Sequence, residues 1–86
     1  MKIILINAMW CNGCIVMHKV WNKVKEEYPN IEYVKYDYDI DEEEVLKYNV
    51  GDTLPVAIFY VVDNEVCRLI GEKTKEEIID VIKQFI

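Results

Sequence analysis

Trp10-Cys11-Asn12-Gly13-Cys14 stands three residues after the apolar run Ile3-Ile4-Leu5-Ile6 and just before a segment, Ile15 to Tyr28, with helical periodicity. Cys14, Met17, Trp21, Val24 and Tyr28 recur at steps of three and four, while Lys19, Asn22, Lys23, Glu26 and Glu27 fall largely off that stripe. A strand, a short loop and a helix in that order put Cys11 near a helix N-terminus. There the unpaired backbone N–H groups and the positive end of the helix dipole favour an anion. A thiolate is such an anion. It is also the only form of cysteine that attacks a disulfide, and thiols so placed ionise more readily than free cysteine. Cys14 follows one turn later on the same face, within reach of Cys11. The pair reads as a two-thiol redox site.

Two other uses of the motif compete. Cys11-x2-Cys14-x3-His18 superficially resembles half a zinc site, but structural zinc takes four ligands, often from a second short-spaced pair. The one remaining cysteine, Cys67, stands alone and far along the chain. No metal or other cofactor is expected. Buried inert cysteines are the second competitor, since free Cys packs as a small hydrophobe. A Cys-x-x-Cys beside a βαβ pattern favours redox work over both. His18 lies beside the apolar stripe and reads as a rim residue, able to lower a thiol pKa if protonated and close.

Eighty-six residues suit one domain, 1–86, with a core of modest size. The uncharged stretch from Ile3 to Val16 is too short and too polar for a transmembrane helix and lacks a cleaved-signal pattern. The expectations are therefore no membrane association and a cytoplasmic location. Three cysteines, an odd number, argue against a disulfide-stapled secreted scaffold. The net charge of −6, with acids concentrated from Asp37 to Glu44, disfavours nucleic acid, which needs a basic footprint. That acidic run reads as a solvated face and a helix start. A monomer is the expected state.

Lys2 to Ile6 reads as a strand covered on both faces, hence central in a sheet. Ile31 to Asp37, rich in Tyr and Val, is a second strand near an edge. Asp41 is placed to cap a short helix ending near Asn49, with Glu44 answering from the third helical position. Val56–Val62 and Glu65–Ile70 form a hairpin about Asp63-Asn64, with Cys67 inside its second strand as a packing residue. Gly71 breaks that strand. Thr74-Lys75-Glu76-Glu77 is a capping box for a last helix that buries Ile78, Val81, Ile82 and Phe85. The fold class is α/β, ordered β-α-β-α-β-β-α, with a mixed four-stranded sheet flanked by three helices. Leu54-Pro55 immediately precedes the third strand, where a residue that cannot donate to the ladder is tolerated.

Trp10-Cys-x-x-Cys14 after a buried strand, Leu54-Pro55 before a hairpin, then Gly71 and a final helix together resemble the thioredoxin superfamily over almost the whole chain. The length is closer to that of glutaredoxins, because the extra N-terminal strand and helix of full-length thioredoxins are missing. The resemblance implies that Cys11 is the attacking thiol and Cys14 the resolving one. It implies a cis Pro55 packed against the pair, a Leu54 backbone that pairs with an extended substrate, and Trp10 flanking the site. Lys35 matches a lysine that lies behind the active site in thioredoxins; as a bare residue it is equally a surface strand lysine. Three departures stand out. Leu5 occupies the place of a buried aspartate that helps deprotonate the resolving thiol. Asn12-Gly13 matches neither Gly-Pro nor Pro-Tyr. Glu72 replaces the second glycine of a pair that helps glutaredoxins hold glutathione, and should repel that anionic tripeptide.

The expected activity is a protein-disulfide reductase working in electron transport through the Cys11/Cys14 dithiol. Its partners would be disulfide-containing proteins and a reductase of the thioredoxin-reductase kind that recharges the pair. The alternatives are a glutathione-dependent glutaredoxin-like protein, and a non-enzymatic module that binds a partner or a metal.

Overall fold

A computed structural model describes residues Met1–Ile86. The elements run β1 (Lys2–Asn7), α1 (Asn12–Glu27), β2 (Glu32–Asp37), α2 (Glu42–Lys47), β3 (Val56–Val61), β4 (Asn64–Ile70) and α3 (Lys75–Phe85). The sheet order is β2-β1-β3-β4. β1 lies parallel to β2 and antiparallel to β3, and β3 and β4 form the hairpin.

β1 is apolar on both sides because both of its faces are covered. Ile3 and Leu5, with Ala57 and Phe59 of β3, meet Met17, Trp21 and Val24 of α1 and Ile78 and Ile82 of α3. Ile4 and Ile6, with Val56 and Ile58, point the other way and meet Val45 of α2. The two-residue alternation of strand side chains therefore divides one continuous apolar run between two cores. The α2 side is thinner, and half-buried tyrosines fill it out: Tyr48 lies 6.0 Å from Tyr36 and 6.2 Å from Tyr60, ring centre to ring centre.

Four local readings change. α1 begins at Asn12, three residues before Ile15, because Cys11 itself is the N-cap, with extended backbone and a sulfur that accepts the Cys14 N–H at 3.1 Å. Asp41 precedes α2 but makes no capping bond. Its carboxylate instead turns back to accept the Asp37 N–H at 2.7 Å, while Asp37 Oδ1 accepts from the Asp39 and Ile40 N–H groups. The acids thus build the turn out of β2 before they start a helix. The hairpin turn is Val62-Asp63, one residue earlier than expected, and both residues have positive φ. Asn64 opens β4, and the register shifts between Phe59 and Tyr60, leaving Val66 as the extra residue of a bulge. Finally, Val81 and Phe85 are only half-buried, since the contact stripe of α3 is narrow and centred on Ile78 and Ile82.

The Thr74 box forms as read: Thr74 Oγ1 accepts the Glu77 N–H at 3.2 Å, and Glu77 Oε2 accepts the Thr74 N–H at 3.1 Å. Cys67 is a free, partly buried thiol packed on the α1–α3 core.

Candidate functional site

Loops that are distant in sequence meet at the end of the sheet where β1 stops and β3 begins. The first runs from Ala8 to Cys11, where the Cys11 N–H donates to the Ala8 carbonyl at 3.2 Å. It holds Cys11 as the cap of α1, so the sulfur lies against the first free N–H groups of the helix. One turn on, Cys14 faces back toward it, with the two Cα atoms 5.3 Å apart and the sulfurs in bonding contact. Both cysteines are 7% exposed and cluster with Ala8, Tyr38 and Leu54.

Trp10 adjoins this pair on one side, next to Cys11 in the chain. Its ring is 60% exposed but not loose: Nε1 donates to Asp39 Oδ2 at 2.7 Å, and the indole meets Tyr38 edge-on at 6.1 Å. Pro55 closes the other side. It is buried, the Leu54–Pro55 bond is cis, and its carbonyl accepts the Gly71 N–H at 2.8 Å. Its packing on the motif is close. A Cβ built on Gly13 would stand 3.3 Å from Pro55 Cδ and 3.2 Å from Glu72 Cγ. The N–H and C=O of Leu54 form no hydrogen bond within the chain, so this backbone edge is open to an extended segment.

Behind Cys14, between α1 and β2, lies a cleft of about 440 Å³ lined by Leu5, Cys14, His18, Lys25 and Lys35 among others. Leu5 and Lys35 are register partners on β1 and β2, so their side chains share a face. Leu5 is 2% exposed, so an alkyl group and not a carboxylate lies buried at this position. The carboxylates of the cleft, Asp37 and Asp41, are tied into the β2–α2 turn. Lys25 has its pKa lowered, first by burial and then by the charge of Lys35. No group of three or more His, Cys, Asp or Glu side chains is placed to hold a metal ion, and no helix is long and apolar enough to cross a membrane.

All six residues singled out in the sequence (Trp10, Cys11, Cys14, Lys35, Leu54 and Pro55) belong to this region. Lys35 is exposed to solvent and lines the cleft behind Cys14. Sequence reasoning missed Asp39 as the partner of Trp10. The one available signal was its place one residue after Tyr38 in an acidic run, and that run had a sufficient explanation as solvated surface.

A sulfur capping a helix, with a second sulfur one turn away in bonding contact, has one evident chemistry: reversible exchange between a dithiol and a disulfide. This fold and site define a thiol–disulfide oxidoreductase. The thioredoxin family model matches residues 1–84, and the chain belongs to that family. It is 28% identical over 74 residues to thioredoxin H8 of Arabidopsis thaliana, covering 86% of this chain and 49% of that one. It is 29% identical over 77 residues to a thioredoxin of Chlamydia trachomatis, covering 90% and 74%. The chain thus spans about half the length of the plant relative and about three quarters of the bacterial one. Among solved structures, the reduced thioredoxin pre-protein of Schistosoma mansoni superposes with a TM-score of 0.88 at 28% identity, covering 99% of this chain and 78% of that one.

Proposed function

We propose that this protein reduces disulfides in protein substrates laid along Leu54-Pro55. The observation that carries the reading is the cap: Cys11 Sγ accepts the Cys14 N–H at the start of α1, where an anionic sulfur is stabilised. The Cys11 thiolate attacks one sulfur of the substrate disulfide. A mixed disulfide forms, and the other substrate sulfur leaves as a thiolate that takes a proton from solvent. Cys14 then loses its proton and attacks Cys11 Sγ, releasing the second substrate thiolate. Two electrons have passed to the substrate, and the Cys11–Cys14 disulfide remains.

The open backbone of Leu54 supports strand-like pairing with the substrate segment, and Trp10, fixed by Asp39, forms the wall beside it. With Leu5 on its floor, the cleft behind Cys14 offers the resolving thiol a route to solvent and to Lys35 in place of a buried carboxylate. A disulfide reductase of the thioredoxin-reductase kind recharges the pair. The Glu72 side chain against Gly13 speaks against an anionic tripeptide in that role. The cytoplasm is the compartment of this reading, in keeping with the unpaired Cys67 thiol.

The test is trapping. Cys14→Ser accumulates mixed disulfides through Cys11, and Cys11→Ser accumulates none. If neither variant captures a disulfide substrate, the proposal is wrong.

A further inference from the structure

Gly71-Glu72-Lys73 is fastened on both sides of Glu72. The Gly71 N–H donates to the Pro55 carbonyl at 2.8 Å, and Gly71 takes φ +88 to make the turn. The Lys73 N–H donates to Met17 Sδ at 3.3 Å. Between these two anchors the Glu72 side chain is directed over the Cys11–Cys14 turn. Its Cγ and Cδ lie 3.2 and 3.6 Å from where a Cβ on Gly13 would stand, beside Pro55. Neither ion pair of the structure involves Glu72: these join Arg68 to Glu65 and Lys75 to Glu27. Gly13 is thus small where the Glu72 side chain passes, and that carboxylate is exposed and without a cationic partner beside the Cys11–Cys14 turn.

We propose that Glu72 is a specificity-determining residue that selects disulfides flanked by a lysine or arginine and rejects those flanked by acids. The inference rests on the reading that the Leu54-Pro55 edge receives the substrate. A segment paired there brings the residues next to its cysteine past Pro55 and hence past Glu72. A cation in that position completes the missing ion pair. An anion meets a like charge carried on a backbone that the Gly71 and Lys73 anchors hold in place. Two unit charges about 4 Å apart in water interact by about a factor of five in an equilibrium or rate constant. Salt weakens the effect, because the screening length falls from about 10 Å at 0.1 M to about 3 Å at 1 M.

The test uses cyclic peptides closed by one disulfide and identical except for Lys, Gln or Glu beside the cysteine. Reduced protein is mixed with each peptide, and the rate of its oxidation is divided by that peptide's rate with dithiothreitol, which removes the intrinsic reactivity of the disulfide. The expected order is Lys, Gln, Glu, with at least about a fivefold normalised ratio between the ends at low salt, shrinking toward one at 1 M salt. Glu72→Gln collapses the ratio and Glu72→Lys inverts it. Asp63→Asn, which removes the same charge at the hairpin tip, leaves the ratio unchanged. A wild-type ratio within twofold of one, or a ratio that survives in Glu72→Gln, overturns the selectivity while leaving the reductase reading intact. If no peptide oxidises the protein, both fall together.

Discussion

Val62 occupies a conformation that its side chain opposes. It is the first residue of the β3–β4 turn, with φ +48, and Asp63 follows with φ +64. Two-residue hairpin turns with positive φ at both positions match the twist of the flanking strands, which is why Asn-Gly and Asp-Gly dominate them. For an L-residue with a branched Cβ the left-handed region costs about 1–2 kcal/mol. Val62 recovers little of this by burial, since it is 84% exposed. Val62→Asn, whose short polar side chain tolerates this region, should therefore stabilise the protein by about 1 kcal/mol. For a chain of this size that raises the thermal midpoint by about 4–8 °C. Val62→Gly relieves the same strain but adds freedom to the unfolded chain, so it gains less. Val62→Ala keeps a Cβ and most of the penalty. Thermal melts of the oxidised proteins followed by circular dichroism give the order Asn above Gly above Ala and wild type. Substrate reduction should be unaltered, because the turn lies at the far end of β3 from Pro55. A midpoint for Val62→Asn at or below wild type, or an equal gain in Val62→Ala, refutes the strain argument.

Thr74→Ala removes the hydroxyl that accepts the Glu77 N–H and leaves only the half of the box in which the Glu77 carboxylate accepts from the residue-74 N–H; a loss of about 1 kcal/mol is expected in urea unfolding, with an unchanged denaturant slope. Alkaline stability follows from Tyr48, whose pKa is raised first by burial and then by Tyr36, Tyr60 and Glu44. A phenol harder to ionise in the folded state than in the unfolded one gives stability that is intact below about pH 10 and lost as pH rises through the folded value. Tyr33, raised by burial, adds in the same direction, while the lowered Lys25 opposes it. Melting midpoints from pH 9 to 11.5 should fall, and less steeply in Tyr48→Phe than in wild type. An equal slope would show that Tyr48 does not titrate with folding.

The sequence was most readable where a pattern has only one structural use. Ile3 to Ile6 is apolar on both faces because a central strand is covered twice, and that placed β1 in the middle of the sheet. Thr74 and Glu77 are adjacent in space whenever the helix forms, so their box needed no tertiary knowledge. The start of α1 was hidden because its cap is a thiol, a residue type that carries no capping signal. Asp41 looked like a cap by type and spacing, but tertiary context gave its carboxylate the Asp37 N–H instead. The turn at Val62-Asp63 was missed because Val is a poor candidate for positive φ, and the bulge at Val66 shifts the register by one. The site followed the same rule. Cys11 and Cys14 are neighbours along a helix and could be paired at sight. The bond from Trp10 to Asp39 spans 29 residues, and the Glu72 contact with Gly13 requires the loop after β4 to fold back onto α1. Neither is encoded in local spacing.

Everything functional here depends on Cys11 sulfur being held as an anion where α1 begins. Titration of the fully reduced protein, following thiolate absorbance in wild type, Cys11→Ser and Cys67→Ser, examines that directly. One sulfur should ionise below the range of an ordinary cysteine, and that step should vanish in Cys11→Ser and persist in Cys67→Ser. If all three thiols ionise together in the range of free cysteine, the helix terminus does not activate the site and the account is contradicted.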